Sequence, residues 1–435
     1  MDVKILPLPL HGTVSAIPSK SQAHRALICA ALADKPAHIE CAGQSKDITA
    51  TAACLSALGA EVSRVQSGYD VAPLKNVNNG TSIILPCEES GSTFRFLLPV
   101  VCALGRKAAF ILEGRLPERP LSPLYEELVR HGCNLSVLGS SPFYVDGKLT
   151  PGNYKLDAGV SSQFISGLLF ALPLLDGDSE LHLTGNVESF PYIELTLAML
   201  RTFNIKTEYK DMVFFIPGRQ TYRSPGSVQI EGDWSNAAFW LTAGAIGTSG
   251  ITCTGLDLQS QQGDRAVLDI LEQFGAKVER NGGAVSGCAV SSGVVTVSGG
   301  KLCGIEIDAG DIPDLVPVLA VAGAAAAGTT VIRNAGRLRG KESDRLAAVS
   351  SVLRTLGADV RETEDGLFIN GGPALTGGQV SSWGDHRIAM TAAIAAILCS
   401  QPVVIQNAQT VNKSYPGFFS DLCLLGAQIT EETEV

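Results

Sequence analysis

The chain has 435 residues, 45% hydrophobic and 17% charged, and its 33 Lys and Arg against 43 Asp and Glu leave a net charge of −10. The length exceeds one ordinary core and the composition is globular, so two domains are expected and a disordered chain is excluded. The acidic balance argues against non-specific binding to nucleic acid or an anionic membrane, so any basic cluster is a local device.

The N-terminal run MDVKILPLPLHG has no basic region and no long apolar stretch, so no signal peptide is expected. A strand is expected over Val3–Ile17, able to pair with either half of the chain. IPSKSQAHRALICAALA then reads as a helix that opens after a proline and turns almost wholly apolar. Its Lys20 and Arg25 sit where the helix dipole is positive, a mildly unfavourable place unless a ligand anion faces them. Eleven cysteines are scattered without a C-x-x-C pair, which fits free thiols in a reducing cytosol and no structural zinc.

One phrase then recurs along the chain: CLSALGAEV, ELVRHGCNL, AMLRTFNIK, ILEQFGAKV, VLRTLGADV and LCLLGAQI. Its hinge falls at Gly59, Gly132, Asn204, Gly275, Gly357 and Gly426, at intervals of 73, 72, 71, 82 and 69 residues. Regular spacing over six copies marks a repeated supersecondary unit. An amphipathic helix ending in a left-handed cap, followed by a strand, explains the phrase, because glycine is best there and asparagine is tolerated. Upstream of each copy lies a helix apolar nearly all round, such as TFRFLLPVVCAL or LVPVLAVAGAAAAG, which should be buried. The latter is the longest apolar run and is too short to span a membrane. The unit reads as βαβαββ, three to a domain, with the cut near VQIEGDWSNAAF.

Polar residues collect at two places in each unit. At the start of the buried helix stand Lys20, Ser21 and Arg25; Ser90, Gly91, Ser92 and Arg95; Ser161, Ser162 and Gln163; Asp314; and His386 and Arg387. In the loop before the outer helix stand Arg115 and Arg119; Ser189 and Tyr192; Arg337, Arg339, Lys341 and Arg345; and Lys413. If the repeats stack alike, their buried helices aim their N-termini at one surface, where backbone N–H groups and dipoles favour an anion. Taken singly, each residue has a plainer role. Ser161 and Ser162 can be N-caps, Arg119 a solvated loop residue, Tyr192 a rim residue and His386 a structural one. Lys341 and Arg345 with Glu342 and Asp344 can form a surface ion-pair ladder. Recurrence at equivalent positions favours a built anion site. Asp311, Asp314, Glu342, Asp344 and Asp385 supply carboxylates that neighbouring cations can tune as acid or base, or hold as ordinary ion pairs. GRLRGKES lacks a P-loop's spacing and its Ser or Thr, and no G-x-S-x-G elbow or H-E-x-x-H is present. No metal is indicated.

The motifs PSKSQAHRAL, ESGSTFRFLLP, LPERPL, SSQFISGLL, SFPYIEL, DIPDLVPVLA, GKESDRL, DHRIAM and NKSYPGFF occur in that order. Together, over essentially the whole chain, they resemble the 5-enolpyruvylshikimate-3-phosphate synthase family of enolpyruvyl transferases. The resemblance implies an α/β fold of two similar lobes, each of three βαβαββ repeats with buried parallel helices. The N-terminal lobe would run over 20–232, on the shikimate 3-phosphate side, and the C-terminal lobe over 1–19 and 233–435, on the phosphoenolpyruvate side. It implies transfer of the enolpyruvyl group of phosphoenolpyruvate to the 5-hydroxyl of shikimate 3-phosphate through a tetrahedral intermediate. The expected protein is a cytoplasmic monomer with no cofactor and no nucleic-acid or membrane partner.

By motif match, shikimate 3-phosphate would meet Lys20, Ser21, Arg25, Ser161, Ser162, Gln163, Ser189, Tyr192, Asp314 and Lys341. Phosphoenolpyruvate would meet Lys20, Gly91, Arg119, Gln163, Arg345, Arg387 and Lys413. The catalytic groups would be Asp314, Glu342 and Lys20, with Asp314 accepting and Glu342 donating a proton in the addition. The chain departs from many members in carrying Glu89-Ser90-Gly91-Ser92 for Asn-Ala-Gly-Thr, and Arg337 for Asn. It keeps Gly91, so sensitivity to glyphosate, which competes with phosphoenolpyruvate, is expected. Two rivals are a sister transferase acting on UDP-N-acetylglucosamine, which uses a Cys in the loop that here reads GRLPERPL, and a non-catalytic phosphate-ligand binding protein on the same scaffold.

Overall fold

Gly59, Gly132, Asn204, Gly275, Gly357 and Gly426 all take positive φ, between 60° and 106°, in a computed structural model that describes residues 1–75, 82–282, 293–372 and 374–432. Each ends an outer helix and turns the chain into a strand, in the left-handed conformation that glycine adopts without steric cost.

The chain divides into two compact units, Ser19–Ile230 and Met1–Pro18 with Glu231–Val435. In Ser19–Ile230 the inner helices are α1 (Lys20–Leu32), α3 (Gly91–Ala103) and α5 (Ser162–Ala171). The outer ones are α2 (Lys46–Ala57), α4 (Leu124–Arg130) and α6 (Phe190–Thr202). In the other unit α7 (Trp234–Ile246), α9 (Val316–Ala325) and α11 (His386–Ala395) are inner, and α8 (Val267–Phe274), α10 (Arg345–Thr355) and α12 (Phe418–Leu424) outer. The inner helices are apolar all round because they are covered all round. Every residue of α11 is buried, and α3 leaves only Ser92 outside the core. The outer helices bury one stripe, as Val267, Leu268, Ile270, Leu271 and Phe274 do on α8.

The described strands form six four-stranded sheets of one design: a parallel pair, then two antiparallel strands. Asn153–Asp157 lies parallel to Ser179–Thr184, with α5 as the crossover, and Val213–Ile216 and Glu208–Lys210 complete that sheet. Two sheets are closed by distant strands. Ser227–Gln229 pairs parallel with Ala37–Glu40 in Ser19–Ile230, and Gly12–Ser15 pairs parallel with Ile251–Leu256 in the other unit. The expected strand over Val3–Ile17 is two, Asp2–Ile5 and Gly12–Ser15. Pro7 and Pro9 lack the N–H that a continuous ladder needs. Asp2–Ile5 lies between Val403–Gln406 and Ile429–Glu432, supplying the strand that the sixth repeat otherwise lacks.

Each unit has its own apolar core. Helices α3 and α5 approach closely: a Cβ on Gly167 would lie 2.4 Å from the Arg95 carbonyl oxygen. Among the described residues, no helix is long and apolar enough to cross a membrane, and no group of three or more His, Cys, Asp or Glu could hold a metal ion.

Candidate active site

In Ser19–Ile230, each inner helix opens on a serine. Ser19, Ser90 and Ser161 accept hydrogen bonds from the N–H groups of Gln22, Thr93 and Gln163, so their hydroxyls cap α1, α3 and α5. Lys20, in the first turn of α1, donates to Asp47 Oδ2 at 2.8 Å. Asp47 stands in the first turn of α2, where an anion suits the dipole, and its charge offsets the unfavourable place of Lys20. Arg25 is 2% exposed, and each of its three guanidinium nitrogens donates a hydrogen bond within the protein. Its Nε donates to Thr196 Oγ1 at 2.8 Å, Nη1 to the Ser21 carbonyl at 2.6 Å and Nη2 to the Tyr192 carbonyl at 2.8 Å. Its guanidinium lies over the Phe96 ring, 4.9 Å from the centroid. Burial lowers its pKa to about 10, which leaves it charged at neutral pH.

A second knot forms around α3 and α5. Arg95 Nη1 donates to Gln163 Oε1 at 2.9 Å and Nη2 to the Pro120 carbonyl at 3.0 Å, while Gln163 Nε2 donates to Ser92 Oγ at 2.9 Å. Arg119 arrives on the loop after Leu116–Glu118, and a Cβ on Gly91 would lie 2.7 Å from its Nη1 and 3.2 Å from Arg95 Nη1. Glycine at 91 therefore lets two guanidinium groups pack against the start of α3. Ser189 holds a left-handed conformation, φ 55°, just before α6, and its carbonyl accepts from Tyr192 N–H at 3.0 Å. Left-handed backbone at a non-glycine residue is strained and concentrates at functional sites. Ser162 is 8% exposed beside its capping neighbour Ser161.

In the other unit the beginnings of α9, α10 and α11 meet. Asp314 Oδ1 accepts from Arg345 Nη1 at 2.9 Å and Oδ2 from Arg387 Nη2 at 2.9 Å. Arg345 also donates from Nη2 to Glu342 Oε2 at 2.9 Å and from Nε to Asp385 Oδ2 at 2.8 Å. Asp385 is wholly buried, caps α11 through Arg387 N–H at 2.9 Å and accepts from Ser343 Oγ at 3.1 Å. Burial opposes the charge on Asp314, but Arg387, Arg345 and Lys341 outweigh it and hold the carboxyl well below the usual range. Burial pushes the Lys341 ammonium down to about 7, against the pull of Asp314 and with further lowering by Arg337 and Arg345. Arg337 donates to the Gly310 carbonyl. Lys413 ends the short helical turn Ala408–Lys413 and is 8% exposed.

Hydrogen bonds thus join Ser21, Arg25 and Tyr192; Gln163 to Ser92 and Arg95; and Asp314, Glu342, Arg345 and Arg387. The surface ladder open to Lys341 and Arg345 does not form, because α10 starts only at Arg345, capped by Asp344, and Arg345 is 2% exposed. Asp47 is the participant that the sequence does not point to; Arg95 and Asp385 stand among its polar helix starts and its carboxylates, with no substrate matched to either. Arg95 carried a signal, since it recurs with Arg25 near the start of a buried helix. Asp47 carried none, because it lies 27 residues from Lys20 on another helix.

The family model for EPSP synthase (3-phosphoshikimate 1-carboxyvinyltransferase) matches residues 6–422. A 3-phosphoshikimate 1-carboxyvinyltransferase of Clostridium kluyveri is 43% identical over 436 residues, covering 99% of this chain and 98% of that protein. One of Clostridium novyi is 41% identical over 442 residues, with the same coverage. The solved EPSP synthase of Acinetobacter baumannii shares the fold at TM-score 0.81 and 24% identity, over 99% of this chain and 100% of that one. An enolpyruvyl transferase of Streptomyces tendae does so at TM-score 0.79 and 19% identity, over 100% and 99%. The chain belongs to the EPSP synthase (3-phosphoshikimate 1-carboxyvinyltransferase) family.

Proposed function

We infer that the chain transfers the enolpyruvyl group of phosphoenolpyruvate to the 5-hydroxyl of shikimate 3-phosphate, releasing phosphate, in aromatic amino-acid biosynthesis. Membership of the family supports the reaction. The observation that carries it to particular residues is the Asp314 carboxylate held between Arg345 and Arg387, with Glu342 on the same Arg345 guanidinium. Opposed charges of this kind suit a reaction that moves protons beside bound anions.

The substrates carry two phosphates and two carboxylates, and the cations answer them. Ser161, Ser162, Ser189 and Lys341 take the shikimate phosphate. Ser21, Arg25, Gln163 and Tyr192 hold its ring and carboxylate, with Asp314 at the 5-hydroxyl. Lys20, Gly91, Arg119, Gln163, Arg345, Arg387 and Lys413 hold phosphoenolpyruvate, with Lys20 reaching both substrates. Arginine suits this work because its fork matches carboxylate and phosphate oxygens.

In the addition the 5-oxygen bonds to C2 of phosphoenolpyruvate while its proton passes to Asp314, and C3 takes a proton from Glu342, which takes that proton up from solvent once the substrate draws Arg345 away from its carboxylate. In the elimination C3 returns its proton to Glu342, now a carboxylate, the C2–C3 double bond reforms, and the C2–O bond to phosphate breaks with its electron pair leaving on the phosphate. A carboxylate held as low as Asp314 is a weak base. When phosphoenolpyruvate draws Arg345 and Arg387 to its own anionic groups, Asp314 loses its stabilising partners and its basicity rises, so the base is strengthened as the substrate arrives. These steps need no metal or cofactor, and the reading is of a cytoplasmic monomer. Mixing the protein with both substrates and following phosphate release tests the proposal.

A further inference from the structure

An arginine has five N–H donors, and among the described residues Arg25 spends three of them on the protein. One N–H on each Nη is left, the number that the two oxygens of a carboxylate take. Two of the three acceptors, the Ser21 and Tyr192 carbonyls, belong to the backbone. The third is a side chain, Thr196 Oγ1 on α6, 2.8 Å from Arg25 Nε. Thr196 is wholly buried and its hydroxyl is used to capacity. Its proton goes to the Tyr192 carbonyl at 3.2 Å. Its oxygen accepts from Arg25 and, because its own proton is spent, also from Ser166 Oγ at 2.7 Å. Ser166 lies within α5 and is wholly buried too. Hydroxyls of two helices thus hold a cation of a third.

We propose that Thr196, steadied by Ser166, is a positioning residue: it fixes the plane in which Arg25 offers its two remaining N–H groups, and so sets the preference for an acceptor substrate that carries a carboxylate. A guanidinium fork engages two carboxylate oxygens best when the two groups share a plane. Without the Thr196 oxygen, the Arg25 Nε–H is a buried donor with nothing to accept it, and the cation turns toward another acceptor. Valine keeps the shape of threonine and lacks that oxygen. The inference rests on the reading that Arg25 holds the shikimate carboxylate.

The test measures binding of shikimate 3-phosphate and of its carboxamide analogue to the whole protein by isothermal titration calorimetry. The native protein should hold the acid about twenty-fold more tightly than the amide, the size of a hydrogen bond to a charged group. Thr196→Val should weaken the acid about ten-fold and the amide by less than about two-fold, so that most of the preference is lost. The KM for shikimate 3-phosphate should rise in step, while kcat and the KM for phosphoenolpyruvate hold. Thr196→Ser restores the oxygen and should restore the preference. Ser166→Ala should shift the preference the same way by about three-fold, the lower end for one neutral hydrogen bond. A native preference in Thr196→Val, equal losses for acid and amide, or a serine variant that behaves like the valine one would overturn the inference. Should Thr196→Val not fold by circular dichroism, an unchanged preference in Ser166→Ala would overturn it. A native protein that binds acid and amide equally would overturn the place given to Arg25, and the inference with it.

Discussion

Arg345 donates to Asp314 Oδ1 at 2.9 Å from a position where two further carboxylates, Glu342 and Asp385, also claim it. One buried cation thus organises three acids, and each acid does something different. Asp385 anchors it from the cap of α11, Glu342 lies beside it, and Asp314 bridges it to Arg387. Asp314→Asn should keep the fold, because Arg345 retains Glu342 and Asp385. It should lower kcat by about 10²- to 10⁴-fold, the usual contribution of a positioned acid or base. Steady-state kinetics and a circular dichroism spectrum decide the matter, and near-native turnover would remove Asp314 from the chemistry.

Gly91→Ala places a Cβ 2.7 Å from Arg119 Nη1. The atom it meets is the end of a flexible side chain, so the protein should fold and Arg119 should move aside. The KM for phosphoenolpyruvate should rise about ten-fold, the order expected for losing a charged hydrogen bond, while the KM for shikimate 3-phosphate stays put. Inhibition by glyphosate should weaken in parallel. Equal rises in both KM values would mean that the substitution disturbs the unit generally.

Lys341 titrates near 7 in the folded protein because burial disfavours its charge. A shikimate phosphate favours the charged form, so the free protein binds it well below that pH and worse above it. The kcat/KM for shikimate 3-phosphate should therefore fall as pH rises through about 7 to 8. Lys341→Arg, charged throughout, should flatten that limb of the profile. An unchanged slope in the variant would assign the titration to another group.

His24 is wholly buried, its Nδ1 2.6 Å from Thr51 Oγ1, and burial drives its pKa down to about 3. The unfolded chain, with an ordinary His near 6.5, then binds more protons than the folded one between about 3 and 6.5. Stability should accordingly fall as pH drops through that window, by on the order of 4 kcal/mol for this one residue. His24→Gln cannot take up that proton. Its denaturant midpoint should start lower at pH 7 and change less between pH 6.5 and 4. A native-like pH slope in the variant would clear His24 of the effect.

The repeat was legible because it rests on local chemistry. A helix that must end left-handed selects glycine or asparagine, and that choice recurs at Gly59 and Asn204 alike. The candidate cations are legible as far as they recur at equivalent positions of those repeats. What sequence concealed was partnership across distance. Nothing near Asp47 announces Lys20, and the spacing of Lys341 and Arg345 suggests a helical ladder although the helix begins only after Asp344. The single strand expected over Val3–Ile17 is two, because Pro7 and Pro9 break the hydrogen-bond ladder between Asp2–Ile5 and Gly12–Ser15. Family membership and the absence of Cys from GRLPERPL favour shikimate 3-phosphate over UDP-N-acetylglucosamine as the acceptor.

The most direct test of the central claim is phosphate release from the purified protein given its two substrates. Release is predicted only when phosphoenolpyruvate and shikimate 3-phosphate are both present, one phosphate for each enolpyruvyl ether formed. No release from that pair by folded protein, or release with UDP-N-acetylglucosamine in its place, would contradict the account.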